Sequence, residues 1–328
     1  MNKEDIFRTI QEYITDVPLM LIGTGASIPV GIPGMNELAN YLQDKLDSKY
    51  SSDTNWCDIS DRLRNGIDLE SALTSYHLEK ELLDDIKKYT WELVTTADLR
   101  LFYEKVLFGK KLPLSTLLFK LLQPNPHRLD ILTTNYDRYI EYCCDQINVR
   151  IDNRYRGMYF KRTNSDELNK KNIINLLKVH GSLDSFIDEK TNESISIPLQ
   201  NKIPNGFMPE IITPGSDKYK AILVSTSREI LHTADSLIDK ASNFLCIGYG
   251  FNDSQIQEKI ITKIKSGTPI VVVTKTLTDE ALNIINSNSR NYAVIMDGKE
   301  NTTRFIINTT DITLDGVYWT IEGFNEII

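Results

Sequence analysis

Pro18-Leu19-Met20-Leu21-Ile22 is a short apolar run that feeds directly into Gly23-Thr24-Gly25-Ala26-Ser27-Ile28-Pro29-Val30-Gly31-Ile32-Pro33-Gly34. Beyond it, Met35, Leu38, Ala39 and Leu42 return at helical spacing. A strand, a glycine-rich turn and a helix in immediate succession constrain the chain to an α/β architecture. They also suit phosphate binding, because glycine lets the backbone approach an anion that free N–H groups can bond. The plainer alternative is a strand-to-helix turn that needs glycine for its own geometry. Four glycines in twelve residues, with a hydroxyl at Ser27, favour phosphate. The common dinucleotide fingerprint does not fit: Gly23 and Gly25 match its first two glycines, but its third falls on Ile28.

The rest of the chain alternates in the same way. Strands are expected at 129–133, 173–179, 244–247, 269–273 and 292–296. Helices are expected at 4–14, 35–47, 138–146, 219–240, 254–265 and 277–286, with a short one after Thr320. Pro269-Ile270-Val271-Val272-Val273 is β-branched throughout, the mark of a strand covered on both faces. Between 58 and 123 only helical periodicity is found, and 182–217 reads as irregular or hairpin structure. The expected fold is therefore α/β: a doubly wound, Rossmann-like parallel sheet with an inserted helical subdomain. We read residues 1–328 as one domain and 48–126 as the helical insertion.

Composition narrows the function classes. A net charge of −8 leaves no basic excess to neutralise phosphates, which argues against direct nucleic-acid binding. Lys161-Arg162 and Lys170-Lys171 read as solvated surface. No apolar run is long enough to span a bilayer, and the N-terminus begins an amphipathic helix, so the expected location is cytoplasmic. Cys57, Cys143, Cys144 and Cys246 show no Cys-x-x-Cys spacing, which points to reduced thiols and to no zinc site.

Four strands end in turns of functional residue types, at 23–34, 133–137, 180–182 and 248–253, where parallel sheets bind ligands. Gly23-Thr24-Gly25-Ala26-Ser27 with Gly31-Ile32-Pro33 resembles the nucleotide loop of the sirtuin (SIR2) superfamily, Gly-Ala-Gly-x-Ser followed by Gly-Ile-Pro. Thr133-Thr134-Asn135-Tyr136-Asp137 is similar to the family's Thr-Gln-Asn-Ile-Asp, and His180-Gly181 to its catalytic His-Gly. Gly248-Tyr249-Gly250-Phe251-Asn252-Asp253 resembles the corresponding turn of bacterial SIR2-like defence proteins. The resemblance runs from about residue 15 onward, interrupted by the helical insertion. The zinc module of sirtuin deacylases has no counterpart, and Gly34-Met35-Asn36 stands where they carry Asp-Phe-Arg.

The resemblance implies NAD+ as substrate, with the loop from Gly23 to Ser27 and Pro33 around the dinucleotide. It implies Asn135 on the nicotinamide ribose and a reacting water, Asp137 on the nicotinamide amide, and His180 as general base. Gly248, Tyr249 and Gly250 would face the ribose and phosphates, and Thr274 with Lys275 the adenosine end. For Asn135 and Asn252 the alternative is a helix cap; for His180 it is a structural histidine. His77 and His232, in helical stretches, read as structural or exposed, and His127 as surface.

The implied activity is NAD+ glycohydrolysis to nicotinamide and ADP-ribose, in an NAD-depleting anti-phage effector. A deacylase, an ADP-ribosyltransferase and a non-catalytic NAD- or ADP-ribose-binding module stay open. With the sheet's last elements, 292–296 and Gly316–Ile321, running almost to Ile328, no room is expected for a sensor on this chain. Control would then come from a homo-oligomer and a separately encoded partner, a HerA-type ATPase or a short Argonaute.

Overall fold

The computed structural model describes residues 2–74, 76–156, 161–163, 172–215, 225–251 and 253–328. Helix α1 (Lys3–Tyr13), opened by a capping box between Asn2 and Asp5, leads to β1 (Leu19–Ile22). Two short 3₁₀ turns, Thr24–Ala26 and Ile28–Val30, carry the glycine loop into α2 (Met35–Leu46). Then come α3 (Thr54–Arg64), α4 (Leu69–Thr74), α5 (Lys80–Leu101), a π turn at Phe102–Val106 and α6 (Pro113–Leu121). Strand β2 (Arg128–Thr133), α7 (Tyr139–Gln146) and β3 (Arg150–Asp152) follow. Next are β4 (Tyr155–Arg156), β5 (Lys161–Thr163), β6 (Ile173–Lys178), β7 (Gly181–Asp188), β8 (Ser194–Ser196) and β9 (Phe207–Ile211). The chain continues through α8 (Ser225–Lys240), β10 (Phe244–Ile247), α9 (Ser254–Lys265), β11 (Ile270–Val273) and α10 (Asp279–Asn288). It closes with β12 (Tyr292–Lys299), β13 (Thr302–Ile307), β14 (Thr310–Asp315) and α11 (Ile321–Ile327).

The protein is α/β, with a mainly parallel, Rossmann-like sheet of order β14-β13-β12-β11-β10-β1-β2-β6-β3. From β12 to β3 every pairing is parallel; β13 and β14 extend the edge antiparallel. Alternate residues of each strand feed opposite cores. Met20, Ile22, Ile131 and Val271 pack beside α1, α6, α7 and α11, whereas Leu19, Leu21, Leu132 and Val272 pack beside α8, α9 and α10. A third apolar cluster ties α2, α3, α4 and the start of α5 together around Trp56 and Leu42.

Several expectations are corrected. The 182–217 stretch, read as irregular or hairpin structure, does hold the β7–β8 hairpin, but with β9, β4 and β5 it forms a second, antiparallel sheet of order β4-β5-β8-β7-β9 that was not expected. The main sheet ends at β14 rather than in Gly316–Ile321, where a turn up to Thr320, whose hydroxyl caps α11, leads into that helix at Ile321. His77 lies between α4 and α5, exposed rather than helical, and His127 is half-buried with Nδ1 3.0 Å from the Leu122 carbonyl. Asn252, Lys170-Lys171 and the start of the helix expected from 219 lie outside the described residues.

Candidate active site

The chain leaves β1 for β2 and β6 on one side and returns to β10, β11 and β12 on the other. The order therefore reverses between β1 and β10, and a crevice opens beyond their carboxyl ends. Gly23 follows β1 and Gly248 follows β10, and their loops touch backbone to backbone. The Gly25 N–H donates to the Gly248 carbonyl (3.1 Å) and the Gly23 N–H to the Ile247 carbonyl (3.0 Å). A Cβ on Gly23 would stand 2.5 Å from the Gly248 oxygen, and one on Gly25 2.8 Å from the Gly248 Cα. Gly248 itself has φ +57°, and a Cβ there would lie 2.2 Å from the Ala26 nitrogen. These glycines are required by each other. The Ala26 and Ser27 amides close the 3₁₀ turn onto Gly23 and Thr24 at 3.0 and 2.9 Å.

Ser27 is buried, and its hydroxyl meets the Asn135 amide rather than the open crevice. Asn135 Nδ2 donates to Ser27 Oγ (3.1 Å) and to the Gly23 carbonyl (3.0 Å), while the Thr24 hydroxyl reaches its Oδ1 at 3.5 Å. Asn135 therefore does not cap α7. That helix starts at Tyr139, whose N–H donates to Asp137 Oδ1 at 3.0 Å. Burial raises the Asp137 carboxyl above its ordinary range, against the pull of the Lys178 charge. The loop is anchored from α5. Asp98 accepts from the Arg138 backbone N–H (2.7 Å), from its guanidinium (2.6 and 2.8 Å) and from the Tyr142 hydroxyl (2.6 Å).

His180 sits in the turn between β6 and β7. Its carbonyl accepts from the Ile212 N–H (2.9 Å), and Gly181, at φ +87°, presses within 1.9 Å of the Glu210 oxygen if given a Cβ. Ring atom Nε2 lies 2.6 Å from Asp253 Oδ2, with both side chains largely buried. The other Asp253 oxygen accepts from the Ile256 N–H at 3.3 Å, capping α9. With Nε2 turned to a carboxylate, Nδ1 is the ring nitrogen that Asp253 does not engage, and both residues line the crevice.

The crevice holds about 240 Å³ and is lined by Gly23, Thr24, Thr134, His180, Tyr249, Gly250 and Asp253, with Asp68 and Glu70 from the edge of α4. The Tyr249 hydroxyl is buried there without a hydrogen-bond partner, the kind of orphan a bound polar molecule would satisfy. A recess of about 30 Å³, lined by Pro33, Met35, Asn135 and Asp137, adjoins it through Thr24 and Thr134. Met35, which is exposed, lines both the recess and the crevice. Ala26 is buried against Gly248. Thr274 does not line the crevice; its hydroxyl donates to the Thr276 carbonyl (3.2 Å).

A family model for the SIR2-like domain matches residues 130–301, a little over half the chain. The chain belongs to the SIR2-like family. The match takes in Asn135, His180 and the Gly248 turn and carries with it an NAD-binding fold. Among solved structures, Sir2Tm bound to a propionylated peptide is 12% identical, over 87% of this chain and 91% of its own, with a TM-score of 0.47. A structure addressing the mechanism and regulation of Sir2 enzymes is likewise 12% identical, over 89% and 92%, with a TM-score of 0.49. No curated protein matches the chain.

In this SIR2-like chain the residue that sequence reasoning left without a role is Asp253. It stood at the end of the quoted 248–253 turn, yet its pairing with His180 is visible only once β6 and β10 are placed. Among the described residues no group of three metal-ligating side chains gathers, and no described helix is long and apolar enough to cross a membrane.

Proposed function

We propose that the crevice hydrolyses NAD+ to nicotinamide and ADP-ribose. The observation that carries this reading is His180, which lines the crevice with one ring nitrogen fixed by Asp253 at 2.6 Å and the other not engaged by that carboxylate. Breaking the C1′–N bond returns its electron pair to the pyridinium ring, so nicotinamide leaves neutral and no strong general acid is needed. Water then bonds to C1′ and passes its proton to His180 Nδ1. The imidazolium that forms is stabilised by the Asp253 carboxylate. Asn135, locked by Gly23 and Ser27, holds the ribose side, and Asp137 faces the nicotinamide side of the recess. Ser27 and Asp98 act as positioning residues.

We read the chain as one domain with 48–126 as its helical insertion. The likeness of the 248–253 turn to bacterial SIR2-like defence proteins supports NAD+ depletion during phage infection. A homo-oligomer and a separate HerA-type ATPase or short Argonaute would be the gate.

The test is nicotinamide release by purified protein. His180→Ala should lose about 10²–10⁴ in turnover with the fold retained and a melting temperature lowered only by the loss of the Asp253 contact, because a turn side chain at a crevice supports little core. Asp253→Asn should fall as far, with KM retained: its amide can donate to Nε2, forcing the proton onto Nδ1 and removing the base. Turnover within a few-fold of wild type in His180→Ala would sink the base assignment.

A further inference from the structure

The β6–β7 turn that presents His180 to the crevice gives Lys178, Gly181 and Ser182 to a second cavity, of about 350 Å³. Helix α5, β7, β9 and the bend before β4 enclose it. Lys80 and Lys87 lie at its edge, two turns apart on one face of α5. Among the described residues neither takes a hydrogen bond or an ion pair. Burial holds the Lys87 ammonium below its ordinary range; Asp84 opposes this and the neighbouring Lys80 charge adds to it. Asp84 offsets part of this charge, and the two ammonium groups still offer an anion two donors at one side of the cavity.

Further in, Glu141 Oε1 pairs with Lys178 (2.7 Å), while its Oε2 is buried with no partner. Glu210 accepts from the Tyr155 hydroxyl (3.3 Å) and the Ser194 hydroxyl, and burial pushes its carboxyl up to about 7. A carboxyl poised there can accept from a ligand hydroxyl or donate to one. Ile187, Met208 and Ile230 supply an apolar flank. The volume sits at the small end of ligand pockets and suits a single metabolite.

We propose that this cavity binds a small organic phosphate, with its phosphate on Lys80 and Lys87 and its hydroxyl-bearing body on Glu210 and Glu141. Lysine suits the first part as a mobile point charge for phosphate. The site stands independently of the NAD+ reading. It also sits against the active-site loop, since Lys178 Nζ reaches the Tyr136 carbonyl (3.4 Å) and the Asp137 carbonyl.

The test is calorimetric titration of the full chain with uridine 5′-monophosphate, a phosphate monoester that is no fragment of NAD+. One molecule should bind per chain, weakened about ten- to a hundredfold by Lys87→Met, since a charged hydrogen-bonding partner is lost. His180→Ala should bind as wild type does, and uridine without its phosphate should fail. No binding at millimolar concentration would overturn the proposal, as would equal binding by uridine. Binding kept in Lys87→Met but lost in His180→Ala would put the nucleotide in the crevice and overturn it too. Melting curves of both variants separate these results from unfolding, and none depends on NAD+ turnover.

Discussion

The two walls of the crevice are built on different principles. On the β1–β10 side, Gly23, Gly25 and Gly248 bring two loops together with no side chain between them. On the β2 side, Thr133 to Arg138 is held by side chains that satisfy one another: Thr133 to the Ile22 carbonyl, Asn135 to Ser27, Arg138 to Asp98. The first wall is shaped by sterics and gives way only if the chain moves. The second is shaped by buried polar pairing, which orients chemical groups but is exposed to the loss of any one partner. A glycine-rich motif therefore need not owe its glycines to a ligand, even where the crevice it borders is a ligand site.

The largest effect should come from breaking the second wall at its anchor. Asp98 is fully buried and carries the Arg138 guanidinium, 3% exposed, which also pairs with Asp184 at 2.7 Å. Asp98→Ala leaves Arg138 and the Tyr142 hydroxyl without their main acceptor, and stability should fall by about 3–5 kcal/mol. Urea denaturation measures it. A loss below about 1 kcal/mol would mean that this wall is not held as described.

The first wall should yield slightly less. Gly248→Ala adds a Cβ 2.2 Å from the Ala26 nitrogen at a φ of +57°. Left-handed strain and overpacking together should cost roughly 2–4 kcal/mol. The comparison predicts that stability suffers first. A variant with wild-type stability that cannot bind NAD+ would show instead that the glycine serves the ligand, and the contrast between the walls would fail.

What was legible in the sequence follows the same division. Ile270–Val273 was readable because both faces of that strand are buried, so every position is apolar. Asn135, His180 and the glycine loop were readable because short spacings carry them. β14 was missed although Ile312 and Leu314 alternate with Asp311, Thr313 and Asp315; a half-exposed antiparallel edge gives a weak signal, and its partner is a strand that was also missed. The small sheet joins strands of two to eight residues across loops, and such pairings leave no periodicity to read. Asp253 and His180 lie 73 residues apart, and nothing local connects them. Asp98 and Lys178 were charges in apolar settings, which is the one trace that buried polar anchors leave in a sequence.

The smallest expected effect sharpens the contrast by setting Asp98 against Glu210. Both carboxyls are enclosed, but Asp98 faces a guanidinium, whereas among the described residues Glu210 is met by the Tyr155 and Ser194 hydroxyls. Burial outweighs the pull of the two hydroxyls, and Glu210 rises from its ordinary 4.5 to about 7. Between those values the folded chain keeps a proton that the unfolded chain has released. Its stabilising contribution is therefore full below pH 4.5, declines as pH rises towards 7, and is gone above it. Asp137 and Glu141 are raised as well and add slopes of the same sign, so the informative quantity is the difference between variant and wild type. The Gln side chain of Glu210→Gln cannot ionise, and the variant's denaturation free energy should drop less between about pH 5 and about pH 8 than wild type does, by on the order of 1–2 kcal/mol. Parallel curves for the two proteins would mean that Glu210 titrates alike in the folded and unfolded states, and that its enclosure does not disfavour the carboxylate.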